Sequence, residues 1–162
     1  MKIVKADGAM ADALAPLIAD FRVVLSSFRG VAASPDPASG REEFLEFLND
    51  GYPVYAAAEG ERLLGYIVLK IEPPCLWVEQ LYVREEARRK GVASALFDRA
   101  EEIAGSMGEE TVFNYVHPNN DAIIAFLRSR GYTVLNMIEL RKPYRGEKPT
   151  AAIRVGEHVF DY

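Results

Sequence analysis

The fold of this chain is decided by one stretch, WVEQLYVREEARRKGVASAL, which runs from Trp77 to Leu96. The stretch begins as an apolar strand that ends at Val83, and it continues through a turn that carries four arginine or lysine residues. From Gly91 onward, apolar residues recur at helical spacing. The stretch therefore predicts a strand, a basic turn and a helix in direct succession.

The start of the predicted helix has the properties of an anion site. The first N–H groups of a helix have no partner within it, and they lie at the positive end of the helix dipole. Gly91 has no side chain that would obstruct a ligand. With basic side chains beside it, such a terminus favours a phosphate or pyrophosphate group.

Composition sets limits on the class of protein. A chain of 162 residues with 49% apolar and 27% charged residues predicts a single domain, residues 1–162. The net charge of −5 argues against a nucleic-acid partner, which would need a basic surface. Cys75 is the only cysteine, so an internal disulfide is excluded. Neither a leader sequence nor an apolar run of about 20 residues is recognisable, so we expect a cytoplasmic protein without a membrane partner.

Hydrophobic periodicity predicts a mixed α/β (α+β) fold. The first half reads as a strand, two helices and two strands: Lys2–Ala6, a helix from Ala9, Arg41–Asn49, Pro53–Ala58 and Leu63–Ile71. The second half reads as Cys75–Val83, Gly91–Gly105, Thr111–Val116, Asn120–Arg130, Tyr132–Leu140 and a C-terminal hairpin within residues 150–162. The order β-α-α-β-β-β-α-β-α-β predicts a mixed sheet of six or seven strands with helices on both faces. The loop from Arg29 to Gly40 is equally consistent with a connector and with a substrate lid.

The turn and its surroundings resemble a known family. The sequence from Arg88 to Ala93, RRKGVA, is similar to the Arg/Gln-x-x-Gly-x-Gly/Ala signature of the GNAT (GCN5-related N-acetyltransferase) family. As in that family, the motif follows a strand that ends in Leu81-Tyr82-Val83 and starts a helix. A later helix that begins at Asn120 and ends in Gly131-Tyr132 also matches the family pattern.

The resemblance implies acetyl-coenzyme A as cosubstrate. The side chain of Arg88 and the backbone N–H groups of the following six residues would hold its pyrophosphate: Arg89, Lys90, Gly91, Val92, Ala93 and Ser94. Leu81, Tyr82 and Val83 would pair with the pantetheine arm, in a gap where the fourth and fifth strands splay apart. The N–H of Leu81 would stabilise the oxyanion. Asn120 or Asn119 would bind a pantetheine amide, and Asn120 can also serve as a helix cap.

Glu79 is the candidate general base, since a neutral amine must be generated before it can attack the thioester. It interrupts an apolar strand, and alternation would place it on one face with Trp77, Leu81 and Val83. Burial there would make the carboxylate a stronger base. The alternative is a structural carboxylate that pairs with a neighbouring arginine or lysine.

The general acid is harder to assign. Members of the family place a tyrosine seven residues after the helix asparagine, but Leu127 or Phe126 occupies that position here. Tyr115 is the first candidate, Tyr132 and Tyr144 are alternatives, and the thiolate could also leave unassisted. His117 could act as a base, but its place in a turn favours a surface role.

The sequence therefore predicts an N-acetyltransferase that acts on a primary amine by direct attack in a ternary complex. The amine would be a protein N-terminus, a lysine or a small amine. A non-catalytic acyl-CoA-binding module and a different α/β phosphate-ester binder are the competing hypotheses. No residues show metal-ligand spacing. The C-terminal hairpin would protect a sheet edge or pair with a second subunit in a homodimer.

Overall fold

The structure is a computed structural model that describes all 162 residues. Its strands are β1 Lys2–Lys5, β2 Val54–Glu59, β3 Arg62–Glu72, β4 Cys75–Val83, β5 Phe113–Asn114, β6 Ala152–Val155 and β7 His158–Asp161. Its α-helices are α1 Ala11–Phe28, α2 Pro37–Asn49, α3 Val92–Ser106 and α4 Asp121–Ser129. None of the helices combines the length and apolar character that crossing a bilayer would need.

The first five strands form one mixed sheet in the order β1-β2-β3-β4-β5. The first three pairings are antiparallel, and β4 pairs with β5 in parallel because α3 connects them. The predicted mixed sheet is confirmed, but it has five strands rather than six or seven. Strands β6 and β7 form a separate two-stranded sheet.

The predicted strand from Tyr132 to Leu140 is wrong. This segment forms no ladder, and Val134, Leu135 and Met137 are 86%, 68% and 75% exposed. An alternating apolar pattern indicates a strand only where a neighbouring strand supplies hydrogen-bond partners. This segment pairs with no other strand.

Helix α2 begins at Pro37 rather than at the predicted Arg41, so the loop before it is shorter, from Arg29 to Asp36. Asp36 is the N-cap, and its carboxylate accepts hydrogen bonds from the N–H groups of Ala38 and Ser39 at 3.0 and 3.2 Å. Proline is favoured at the first helical position because it has no N–H to satisfy. The prediction overlooked this combination because the segment is rich in small residues and proline.

Helices lie on both faces of the five-stranded sheet, as predicted. Helices α1 and α2 share a core with the face that carries Val54, Ala56, Tyr66 and Val68. Helix α3 contacts β2, β3 and β4, and none of its buried residues joins that core, so it covers the opposite face. At Gly40 the two first helices approach so closely that a Cβ would lie 2.4 Å from the carbonyl oxygen of Ala15.

The chain divides into two compact units, Met1–Ala125 and Phe126–Tyr162. The first holds the five-stranded sheet. The second holds the β6–β7 hairpin, whose open end is closed by hydrogen bonds between the backbones of Ala151 and Tyr162. A bidentate ion pair from Arg141 to Glu147 lowers the pKa of the Glu147 carboxyl to about 2.

Candidate active site

A gap opens along the free edge of β4. Strand β5 is shorter than the predicted Thr111–Val116, and it pairs with β4 only through Trp77 with Phe113 and Val78 with Asn114. Beyond Val78, the edge of β4 that faces away from β3 has no strand beside it. The expected splaying of the fourth and fifth strands is therefore present.

The backbone polarity of β4 identifies which N–H groups face this gap. The N–H of Arg84 donates to the carbonyl of Leu64 in β3 at 2.9 Å. Because successive N–H groups of a strand point to opposite sides, those of Tyr82 and Gln80 also point towards β3. The N–H groups of Leu81 and Val83 consequently point into the gap, where a ligand could accept from them.

Glu79 is the extra residue of a β-bulge in β4. Gln80 pairs with Val68 and Val78 pairs with Leu69, so no residue of β3 stands opposite Glu79. A bulge leaves its extra residue outside the ladder and redirects its side chain. Bulges are often found beside active sites for this reason. The sequence prediction contained no bulge, since an extra residue leaves no mark on the apolar pattern.

The bulge corrects the predicted arrangement of side chains on β4. Leu81 pairs with Ile67, whereas Trp77 pairs with Lys70, and these two β3 residues lie on opposite faces. Trp77 therefore does not share a face with Leu81 and Val83, as simple alternation predicted.

The carboxylate of Glu79 is half-buried. The nearby lysine, Lys70, pairs with Glu72 at 2.9 Å instead. The pKa of Lys70 is raised chiefly by that partner, then by Tyr52, and to a lesser extent by Glu79. The structural alternative, in which Glu79 forms an ion pair of its own, is not seen.

The turn after β4 has a backbone geometry that is suited to an anion. Arg89 has a φ of 60° and Gly91 a φ of 79°, so left-handed residues lie on both sides of Lys90. Backbone N–H groups converge in turns that mix left- and right-handed residues, and such turns bind anions. The left-handed arginine could not be foreseen, since only glycine, asparagine and aspartate favour that conformation.

The helix that follows leaves its first donors available. The first bond within α3 runs from the N–H of Ala95 to the carbonyl of Gly91 at 3.0 Å, and no side chain caps the helix. The N–H groups of Val92, Ala93 and Ser94 thus have no acceptor within the helix. The Nε of Arg88 donates to the carbonyl of Val83 at 3.1 Å, which holds its guanidinium between the turn and the gap.

A cavity of about 400 Å³ adjoins this turn. Asp20, Val23 and Val24 of α1 form one wall, and Tyr82, Arg84, Glu85, Glu86 and Arg88 form the other. Burial, followed by the charge of Asp20, raises the pKa of Tyr82, so its hydroxyl is protonated at neutral pH. Local sequence patterns do not reveal that α1 borders this cavity, because that contact depends on how the helix crosses the sheet.

The sequence of this chain matches the family model of the GNAT acetyltransferases over residues 21–132. The chain belongs to the GNAT family. The match includes the bulge, the open edge of β4 and the basic turn. No curated protein sequence matches this chain.

Solved structures show the same GNAT fold. One, described as a probable acetyltransferase, is 25% identical with a TM-score of 0.71, and the alignment covers 91% of this chain and 100% of that one. A ribosomal-protein-alanine N-acetyltransferase from Brucella melitensis is 18% identical with a TM-score of 0.68, covering 88% and 99%. AAC(6′)-Iy, in complex with the bisubstrate analogue CoA-S-monomethyl-acetylneamine, is 14% identical with a TM-score of 0.64, covering 89% and 98%.

The two asparagines proposed for this GNAT site have structural roles. The side-chain amide of Asn119 donates to the carbonyl of Phe28 at 2.9 Å, which ties the turn before α4 to the end of α1. The side chain of Asn120 accepts a hydrogen bond from the N–H of Ile123 at 3.2 Å and so caps α4. The predicted role of Asn120 as a helix cap is therefore confirmed. Binding of pantetheine by either side chain stays a prediction.

His117 is part of the same turn. Its ring stacks on Phe28 with centroids 5.5 Å apart, and its Nδ1 accepts from the N–H of Asn119 at 3.2 Å. Burial, and then the charge of Arg29, lower the pKa of His117, so the ring is neutral at pH 7. These contacts give His117 a structural role in the turn.

The candidate acid Tyr115 lies one residue beyond β5 and is 64% exposed. Leu127, at the family's tyrosine position, is buried and apolar. Proton donation by Tyr115 therefore stays a prediction. No group of three or more His, Cys, Asp or Glu side chains is arranged to hold a metal ion.

The left-handed conformation of Gly91 gives a testable prediction. Gly91→Ala has room for its methyl group but must adopt a φ of 79°, so we expect a loss of about 1–2 kcal/mol in unfolding free energy. Coenzyme A should also bind more weakly, because the strained turn would shift. Urea denaturation and calorimetric titration would measure the two effects.

Gly105→Ala is the matched control for this variant. Gly105 lies in the last turn of the same helix with no atom within 4 Å of its added Cβ and an ordinary φ. Alanine is a better helix former than glycine by about 1 kcal/mol, so Gly105→Ala should be neutral or stabilising. Equal effects of the two substitutions would contradict the assigned role of Gly91.

Proposed function

We propose that this GNAT protein transfers the acetyl group of acetyl-CoA to a primary amine by direct attack in a ternary complex. One observation carries the proposal. Three features follow one another along a single open edge: the basic turn, the gap-facing N–H groups of β4 and the bulged Glu79. Pyrophosphate would bind at residues 88–94, the pantetheine arm would lie along 81–83, and the thioester would reach the bulge.

The proposed reaction needs one base and one oxyanion site. Glu79 would accept a proton from the acceptor's ammonium, directly or through water, so that the neutral nitrogen can attack the thioester carbon. The N–H of Leu81 would donate to the oxyanion that forms. The carbon–sulfur bond then breaks, and the attacking nitrogen releases its second proton to water to give the neutral amide. The leaving thiolate takes up a proton, either from Tyr115, which water then reprotonates, or directly from water, and departs as free coenzyme A.

The acceptor is proposed by class only. The net charge of −5 favours a cationic amine through long-range attraction. One structural neighbour is named as a ribosomal-protein-alanine N-acetyltransferase, and another is in complex with the bisubstrate analogue CoA-S-monomethyl-acetylneamine. A protein N-terminus, a lysine and a small polyamine therefore all belong to the proposed range. We further propose a cytoplasmic enzyme that acts without nucleic acid, membrane or metal, either as a monomer or as a homodimer.

An amine panel tests the proposal. Purified protein with acetyl-CoA should release free thiol in the presence of N-terminal peptides, lysine peptides or small polyamines, and release little when the amine is omitted. Mass spectrometry of the acceptor should show one added acetyl group. Calorimetry should detect coenzyme A binding whether or not an amine is present.

A second candidate function is a non-catalytic acyl-CoA sensor. The apolar side chain of Leu127 favours it, because no acid stands at the position where the family places its tyrosine. Tight binding of acetyl-CoA with no thiol release across the whole panel would support the sensor. Failure to bind coenzyme A at all would contradict both functions.

A further inference from the structure

A chain of hydrogen bonds runs from the sheet to the first two helices. Gln80 is the one polar side chain of the buried core, with 4% exposure. Its Oε1 accepts from the hydroxyl of Tyr66 at 2.7 Å, and its Nε2 donates to Oε1 of Glu43 at 2.5 Å. The side chain of Gln80 is thus held at both ends.

The chain ends in an ion pair at the edge of the core. Arg22 of α1 donates from Nε to Oε2 of Glu43 at 2.8 Å, and its terminal nitrogen donates to Oε1. The side chain of Glu43 is only 17% exposed. Bidentate pairing balances its charge and fixes its position. The four residues therefore connect α1, α2, β3 and β4.

The polarity of these bonds fixes how the Gln80 amide is turned. Burial, then the charge of Glu43, raise the pKa of Tyr66 well above its ordinary value, so its hydroxyl remains a donor. A carboxylate such as Glu43 can only accept. Exchange of the amide oxygen and nitrogen of Gln80 would place its oxygen against the Glu43 carboxylate, acceptor against acceptor, so one orientation is favoured.

The position of Gln80 within β4 connects these hydrogen bonds to the candidate active site. Gln80 lies between the bulged Glu79 and Leu81, whose N–H points into the gap. The ladder with β3 does not hold Glu79, because a bulge residue has no partner opposite. The ladder does hold Gln80 and Leu81, which pair with Val68 and Ile67, so only the Glu79 side of Gln80 lacks a partner on β3. The side-chain contacts of Gln80 therefore add a second constraint at the residue where the ladder resumes after the bulge.

We infer that Gln80 is a positioning residue: by holding Gln80, Tyr66 and Glu43 fix the bulge so that Glu79 and the Leu81 N–H face the same reacting carbonyl. This inference rests on the proposed acetyl transfer. It also links the site to α2, because movement of that helix would be transmitted through Glu43 to the bulge.

The double variant Y66F/Q80L tests the inference. It replaces both members of the Tyr66–Gln80 hydrogen bond by apolar groups of similar size, an exchange that is often nearly neutral for stability. Glu43 loses the Gln80 donor but keeps both hydrogen bonds from Arg22. The ion pair of Arg22 with Glu43 is retained. We expect kcat to fall about 10- to 100-fold, since a misplacement of about 1 Å can cost that much, while the Kd for coenzyme A stays unchanged.

Two further variants keep the test interpretable. Tyr66→Phe alone removes one anchor and should lower kcat less than the double variant, which matters if the latter folds poorly. Tyr55→Phe is the matched control, because Tyr55 is a buried tyrosine on β2 that pairs with Ile67 on the other face of the sheet. Its kcat should equal that of the unmodified protein.

A measurement without acceptor separates this inference from the proposed function. In ¹H–¹⁵N spectra, the amides of Glu79 and Leu81 should shift and broaden in Y66F/Q80L but not in Tyr55→Phe. If these amides shift and broaden while the unmodified protein releases no thiol with any amine, the proposed function fails. The inference that Gln80 positions the bulge then still stands. Unchanged Glu79 and Leu81 resonances would overturn the inference, and so would changed resonances with an unchanged kcat.

Discussion

Replacing Glu79 with glutamine should lower kcat for acetyl transfer about 10²- to 10⁴-fold, the usual contribution of general acid–base catalysis. Glutamine retains the size of the side chain but cannot accept a proton from the ammonium. The Kd for acetyl-CoA should not change, because the cofactor contacts lie on the backbone of β4 and in the turn. Steady-state kinetics and calorimetric titration would measure both quantities.

The pH dependence gives the same variant a more specific signature. An alkyl ammonium loses its proton unaided near a pKa of about 10, so the need for a base disappears as the pH approaches that value. The defect of Glu79→Gln should therefore shrink from pH 7 to pH 9.5. Glu72→Gln is the matched control, since Glu72 lies at the end of the preceding strand and pairs with Lys70 at the surface. A Glu79→Gln enzyme with normal turnover would remove Glu79 from the mechanism.

Leu81→Pro should lower kcat about 10²- to 10³-fold, which is the usual cost of losing one oxyanion donor. Proline has no N–H, and the N–H of Leu81 points into the gap rather than to β3. A proline is tolerated on a strand edge where the missing N–H makes no ladder bond. The melting temperature should therefore stay close to that of the unmodified protein, which thermal denaturation would show.

Two neighbouring proline variants act as controls. Val83→Pro also removes a gap-facing N–H, but farther from the thioester, so it should weaken acetyl-CoA binding more than it lowers kcat. Tyr82→Pro removes an N–H that points to β3 and should destabilise the sheet. If Leu81→Pro unfolds the protein as Tyr82→Pro does, the assignment of N–H directions along β4 is wrong.

Local signals in the sequence identified most of the elements and the basic turn at the start of α3. The basic turn and the apolar periodicity after Gly91 are properties of neighbouring residues, so they can be read without tertiary information. The cap at Asn120 was predicted for the same reason, and its side chain accepts a backbone hydrogen bond. The motif from Arg88 to Ala93 indicated the family, which the match over residues 21–132 confirmed.

Features that depend on pairing between strands could not be predicted in this way. The Glu79 bulge exists only as a mismatch between β3 and β4, and the face of Trp77 follows from it. The segment from Tyr132 to Leu140 alternates like a strand but has no ladder partner. Whether a backbone N–H or C=O in a strand forms a hydrogen bond depends on which segment lies opposite it. The sequence of one segment does not reveal which other segment will pair with it.

The sequence by itself determined the basic turn at a helix start, the order of most elements and Glu79 as the one acid in an apolar strand. Only the tertiary structure decided that β5 leaves the edge of β4 open, that the Leu81 and Val83 N–H groups face the opening, and that Gln80 is held by Tyr66 and Glu43. The physical reason is that turns and helix starts arise from contacts between close neighbours in the chain. The hydrogen bond between Glu43 and Gln80, in contrast, joins residues that are distant in the chain and meet only when helices pack on the sheet.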